Sequence, residues 1–100
     1  MIFVLWALSG CNLNRLKEAK ESLDSHDLAT AEKRYRAILE SNPQEIEALS
    51  GLGWTYHLAL KRDEALSQFS YCLGIEPTNI ECIRGKSSVI LAQGDANQAR

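Results

Sequence analysis

The 100-residue sequence has no excess of positive charge and no long apolar run. Its 11 basic residues stand against 13 acidic ones, so it lacks the broad positive field that attracts a phosphate backbone. We therefore expect no nucleic-acid partner. The longest apolar run, at positions 1–8, has eight residues, whereas a membrane-spanning helix needs about 20. This run alone is too short for a transmembrane anchor.

Catalytic and metal-binding motifs are also missing from the sequence. The two histidines, His26 and His57, have no cysteine or carboxylate partner at a metal-like spacing. There is no G-x-S-x-G element, no phosphate-binding glycine loop and no H-E-x-x-H motif. We therefore expect a protein without enzymatic activity, cofactor or bound metal.

Proline and glycine are scarce, with two and six residues, and helix-forming residue types dominate from Arg15 onward. This composition predicts an all-α fold. Pro43 and Pro77 each end a helix, because proline lacks the amide hydrogen and restricts the residue before it. Gly94-Asp95 suits a C-cap followed by an N-cap. The predicted helices cover about 13–24, 28–41, 46–58, 62–75 and 80–92, with another starting near Ala96.

The sequence resembles itself at an offset of 34 residues. The matching positions are Ala31, Ala65 and Ala99, then Tyr35 and Phe69, Leu39 and Leu73, and Pro43 and Pro77. The middle unit reads Leu49-x2-Leu52-Gly53-x2-Tyr56, then Ala65-x3-Phe69, then Pro77. This pattern resembles the tetratricopeptide repeat family, whose unit is W-x2-L-G-x2-Y, then A-x3-F, then P. Only the leading Trp is replaced, by Leu49.

The resemblance implies antiparallel helix-turn-helix repeats stacked as a short right-handed α-solenoid. Repeats would cover 12–45 and 46–79, with an incomplete third at 80–100. Val89, Ile90 and Leu91 would then lack a complete partner. Either the chain belongs to a longer array, or another molecule, a second copy of this chain included, covers that end.

The resemblance also implies a concave groove, lined by the first helix of each repeat, that binds a protein or peptide. The residues expected in it are Leu13, Leu16, Lys20, Glu47, Ser50, Trp54, His57, Arg84, Ser88 and Leu91. Trp54 is the strongest candidate, since an exposed Trp among polar groups is typical of interface hot spots. The alternative is that Trp54 packs inward as core.

The segment Leu8-Ser9-Gly10-Cys11 resembles the lipobox of bacterial lipoproteins. The resemblance implies a signal peptide at 1–11, a lipid on Cys11 and, because Asn12 follows, a place at the outer membrane. No basic residue precedes the apolar run, as it usually does in such signals. The alternative is that residues 1–8 pack on the first repeat of a soluble cytoplasmic adaptor or co-chaperone module. The repeats could also be one region of a larger protein.

Cys72 and Cys82 each lie five residues from Pro77, which marks a turn between two predicted helices. Equal distance from the turn places them at a similar height, where a disulfide could close in an oxidising compartment. The alternative is that both are small packing residues.

Overall fold

The chain folds into five α-helices in a computed structural model, which describes the backbone at positions 2–98 and the side chains at 13–94. The helices are α1 (Ile2–Asp24), α2 (Leu28–Ser41), α3 (Ile46–Leu58), α4 (Arg62–Ile75) and α5 (Ile80–Gln98). No strand occurs in this part of the chain, and the all-α prediction is confirmed. The predicted limits of α2, α3 and α4 agree with the structure at every residue.

The two terminal helices are longer than predicted. The expected start at position 13 is wrong, because α1 is one continuous helix from Ile2. The expected turn at Gly94-Asp95 and a new helix from Ala96 are also wrong, since α5 continues to Gln98. A glycine inside a helix costs only about 1 kcal/mol relative to alanine. Breaking the helix would cost its hydrogen bonds, and no described surface nearby rewards a turn.

The α1–α2 and α3–α4 turns share one geometry, although neither contains glycine. His26 and Leu60, which are 34 residues apart, both adopt left-handed backbone angles, with φ of 60° and 63°. In each turn the next amide donates to a carbonyl five residues earlier, which satisfies the end of the preceding helix. These bonds run from Asp27 N to Ser22 O (2.9 Å) and from Lys61 N to Tyr56 O (2.8 Å).

Aromatic rings on the second and fourth helices pack against glycines on the helix that follows. Tyr35 is 3% exposed and its ring lies directly against Gly51 of α3. Phe69 is fully buried against Gly85 of α5 and also contacts Gly53 of its neighbour α3. The absence of a β-carbon at these glycines lets the rings fill the space between helices.

The helices form two rows. Each helix packs against the next along the chain, and α3 also contacts both α1 and α5. One row therefore consists of α1, α3 and α5, with α2 and α4 packed behind it. The buried apolar core between the rows comprises Leu16, Ala19, Ala31, Tyr35, Ile38, Ala48, Leu49, Leu52, Tyr56, Ala65, Phe69, Cys72, Cys82 and Val89.

A disulfide joins α4 to α5. Cys72 and Cys82 are bonded, their Cα atoms lie 6.3 Å apart, and both side chains are fully buried. Val89, on the same face of α5, is also fully buried, so the expectation that it lacks a partner is wrong. It is covered because positions 82, 85 and 89 follow helical spacing on one face. Ile90 and Leu91 point away from that face and are 51% and 69% exposed.

Candidate functional site

A groove of about 720 Å³ lies between α1 and α3 on the outer side of the three-helix row. Its lining residues are Leu13, Leu16, Lys17, Lys20, Leu23, Tyr35, Glu47, Ser50, Gly51, Trp54 and Glu81. Five of the residues expected in a partner-binding groove are therefore brought together here, namely Leu16, Lys20, Glu47, Ser50 and Trp54. Leu13, which the same pattern placed in the groove, also lines it.

Helical spacing explains how the two walls form. The lining positions 13, 16, 17, 20 and 23 of α1 recur at intervals of three and four residues, as do 47, 50, 51 and 54 of α3. The floor is apolar because Leu16 is only 7% exposed and the ring of Tyr35 reaches the groove over Gly51. A larger residue than glycine at position 51 would push that ring away.

Trp54 belongs to both the groove and the core. Its side chain is half-buried and lines the groove. The centroid of its ring lies 5.6 Å from that of Phe69, edge to face, and 5.8 Å from the ring of His57. Such aromatic pairs contribute about 0.5–1.5 kcal/mol beyond their buried area. Truncating Trp54 therefore removes packing as well as groove surface, and the polar rim residues offer a cleaner test of binding.

Four of the expected groove residues do not line it, namely His57, Arg84, Ser88 and Leu91. His57 lies against Trp54, and Arg84 forms an ion pair with Glu81 at 3.1 Å. The hydroxyl of Ser88 donates to the carbonyl oxygen of Arg84 at 2.9 Å. The groove is bounded by α1 and α3, so only the start of α5 reaches it, through Glu81.

Several lining residues were not predicted. Lys17 lies one turn from Lys20 on the same face of α1, and Glu81 follows Glu47 by 34 residues. Both could have been found from the spacing that identified their neighbours. Tyr35 was assigned only to the core, because the sequence does not reveal that its ring passes over Gly51 to reach the groove.

A second hollow, of about 400 Å³, opens beside the groove between the starts of α3 and α5. It is lined by Ile46, Glu47, Ser50, Glu76, Thr78, Asn79, Ile80 and Glu81. The two hollows share Glu47, Ser50 and Glu81, so they form one continuous depression, which we call the charged trough. It runs from α1 across α3 to α5.

Charge is unevenly distributed in the charged trough. Its cations are Lys17 and Lys20 of α1, and its carboxylates are Glu47, Glu76 and Glu81. Among the described side chains, ion pairs form at Glu32, with Arg36 and Lys61, and between Glu81 and Arg84. Both lysines and Glu47 of the charged trough thus have no ion-pair partner within this described part.

The floor of the groove carries a phenol that stays neutral. Burial, together with the nearby carboxylates of Asp24 and Glu47, raises the pKa of Tyr35 to about 12. At neutral pH its hydroxyl therefore remains protonated and can both donate and accept a hydrogen bond. The groove combines this polar group with apolar walls, as binding sites for organic ligands commonly do.

Comparison of the chain with models of protein families, with curated proteins and with solved structures finds no match in any of the three. None of the described helices has the length and apolar character needed to cross a bilayer. Across positions 13–94, no group of three or more His, Cys, Asp and Glu side chains is arranged to hold a metal ion. The side chain of Cys11 lies outside the described residues.

Proposed function

We propose that this chain is a non-catalytic scaffold that binds a protein or peptide segment in the groove between α1 and α3. The observation that carries the proposal is the convergence of Leu16, Lys20, Glu47, Ser50 and Trp54 on one hollow. These residues come from two helices that are separated by α2 in the chain. They combine apolar, aromatic and charged groups, a mixture typical of protein-recognition surfaces.

We also propose that the chain is built of tetratricopeptide-like repeats at 12–45 and 46–79, with an incomplete third at 80–100, stacked with a right-handed turn. Contacts that recur at the 34-residue offset support this architecture. The ring of Tyr35 on Gly51 is matched by that of Phe69 on Gly85. The left-handed residues in the turns have the same offset.

Site-specific photocrosslinking tests the groove and does not require the partner to be identified first. A photoreactive amino acid at Ser50, inside the groove, should give covalent adducts with a partner in living cells. The matched control is Ser67, an exposed residue of α4 that lines neither hollow. Adducts from Ser50 that disappear with Lys20→Glu support the proposal. Equal adduct formation at Ser50 and Ser67, or none at Ser50, would refute it.

The proposed location is the cell envelope, where a lipid on Cys11 would anchor the scaffold to the membrane, with the outer membrane favoured. This part rests on the resemblance of Leu8-Ser9-Gly10-Cys11 to a lipobox. Labelled palmitate should be incorporated by the intact chain and lost with Cys11→Ala. The Cys72→Ala/Cys82→Ala variant should retain the label. Label that persists in Cys11→Ala would contradict the anchor.

The alternative is a soluble cytoplasmic adaptor in which the apolar start belongs to the fold. The observation that favours it is the unbroken course of α1 from Ile2 to Asp24, since one helix contains both the apolar run and the groove wall. Membrane fractionation of the full chain distinguishes the two cases. Only the lipid-anchored protein should sediment with membranes and return to the soluble fraction when Cys11 is replaced by alanine.

A further inference from the structure

The charged trough has opposite charge on its two sides. Lys17 and Lys20 supply positive charge along α1, whereas Glu76 and Glu81 supply negative charge at the turn into α5. Glu47, which both hollows share, adds a carboxylate at the start of α3. A ligand lying along the trough would therefore pass from a basic to an acidic environment.

An apolar region separates the two charged sides. Leu16 and Tyr35 form the floor of the groove and the half-buried ring of Trp54 forms part of its wall. An apolar or aromatic side chain placed here would be removed from water, which contributes about 25 cal/mol per Å² of apolar surface. This region can supply affinity, while the charges at either side supply orientation.

The sign pattern restricts the class of ligand. A nucleic acid or an anionic lipid surface carries one sign of charge and would meet repulsion from the three glutamates. A peptide can place different charges a few residues apart, and an extended chain advances about 3.3 Å per residue. A peptide segment of mixed charge therefore fits the trough better than either polyanion.

We propose that the charged trough selects peptide segments by the order of their charges. An acidic side chain lies against Lys17 and Lys20, an apolar side chain lies on the floor, and a basic side chain lies against Glu47, Glu76 and Glu81. This inference rests on the proposed function of the groove as a peptide-binding site. Exposed charge pairs contribute little affinity individually, so their main effect is to exclude peptides with the wrong charge order.

Selection from a displayed library of short random peptides against the full chain tests the charge order. Enriched peptides should contain an acidic and a basic residue on opposite sides of an apolar or aromatic one. With Lys17→Glu/Lys20→Glu, the enriched peptides should lose their acidic residues. With Glu47→Lys/Glu81→Lys, they should lose their basic residues. A peptide selected by the wild type should bind either variant about three- to tenfold more weakly.

The matched control is Lys33→Glu/Arg62→Glu, which changes the net charge as much as the lysine variant does but at two exposed residues that line neither hollow. It should select the same peptides as the wild type. Enrichment of peptides without any charge order would overturn the present inference and leave the groove as a peptide site. Enrichment of no peptide by the wild type would overturn the proposed function itself. Because the two charge variants alter opposite sides, either one that keeps its helical circular dichroism suffices for the test.

Discussion

The ring of Tyr35 occupies the space that a side chain at Gly51 would need. This contact joins α2 to α3 and also places the phenol at the floor of the groove. The same relationship between Phe69 and Gly85 joins α4 to α5. Packing between successive helices and the shape of the candidate site therefore depend on the same pairs of aromatic and small residues.

Alanine at either glycine should destabilise the fold. Gly51→Ala and Gly85→Ala force a β-carbon into an aromatic ring, and overpacking of this kind costs about 1–3 kcal/mol. The control is Gly74→Ala in α4, where nothing lies within 4 Å of the added β-carbon. That change should stabilise the protein by up to about 1 kcal/mol. Urea denaturation gives all three values, and equal effects at the three positions would contradict the packing described here.

Glycine at Leu60 should stabilise the protein. Leu60 is 90% exposed and has a φ of 63°, a left-handed conformation that costs a residue with a side chain about 1 kcal/mol or more. Leu60→Gly removes that strain, and we expect a gain of about 1 kcal/mol in the free energy of unfolding. Leu58→Gly, inside α3, should instead lose about 1 kcal/mol. A loss at both positions would show that Leu60 is not strained.

The internal helix limits could be predicted because local chemistry sets them. Pro43 and Pro77 lie just beyond the ends of α2 and α4, and the side chain of Asp27 accepts a hydrogen bond from Thr30 N at the start of α2. The limits near Gly94 and position 13 could not be predicted from such signals. A potential helix end becomes a turn only if another surface covers the chain that follows it, and local sequence does not contain that information.

The groove could be predicted only in part. Spacing along α1 and α3 identified Lys20, Glu47 and Ser50, because a helical repeat fixes which residues share a face. It also placed Arg84 and Ser88 in the groove, although α5 contributes only its first turn. How far α5 reaches over α3 depends on contacts between the helices, and residue spacing within one helix does not encode them.

Raising the pH above 10 should unfold the protein partly through Tyr35. The pKa of its phenol is 10.0 when exposed and about 12 in the fold, chiefly because of burial. Below pH 10 the phenol is protonated in both states, and its contribution to stability is complete. As the pH rises toward about 12, the unfolded state loses its proton first, so the free energy of unfolding falls, by roughly 2 kcal/mol from this group.

The comparison is Tyr35→Phe, which has no titrating group at this position. Its free energy of unfolding, measured by urea denaturation across the same pH range, should fall less steeply than that of the wild type. The difference between the two curves isolates Tyr35 from the lysines and the other tyrosines. Parallel curves would contradict a raised pKa for this phenol.

Reduction of the bond between Cys72 and Cys82 should destabilise the protein. The bond closes a loop with a sequence separation of 10, and a crosslink of that span constrains the unfolded chain by about 2–3 kcal/mol. Urea denaturation with and without dithiothreitol should show this loss in the wild type and equally in Cys11→Ala. Cys72→Ala/Cys82→Ala should not respond to the reductant. Identical denaturation of the wild type in both conditions would contradict the crosslink.

The most direct test of the binding groove is fluorescence titration of Trp54. The chain contains two tryptophans, so Trp6→Phe leaves Trp54 as the only one. Peptides selected from the random library should change its emission in a saturable manner, because its half-buried ring lines the groove. The same titration of Trp6→Phe/Lys20→Glu should require more peptide to reach saturation. Calorimetric binding of a selected peptide without any change in Trp54 emission would place the peptide elsewhere and contradict the groove as the binding site.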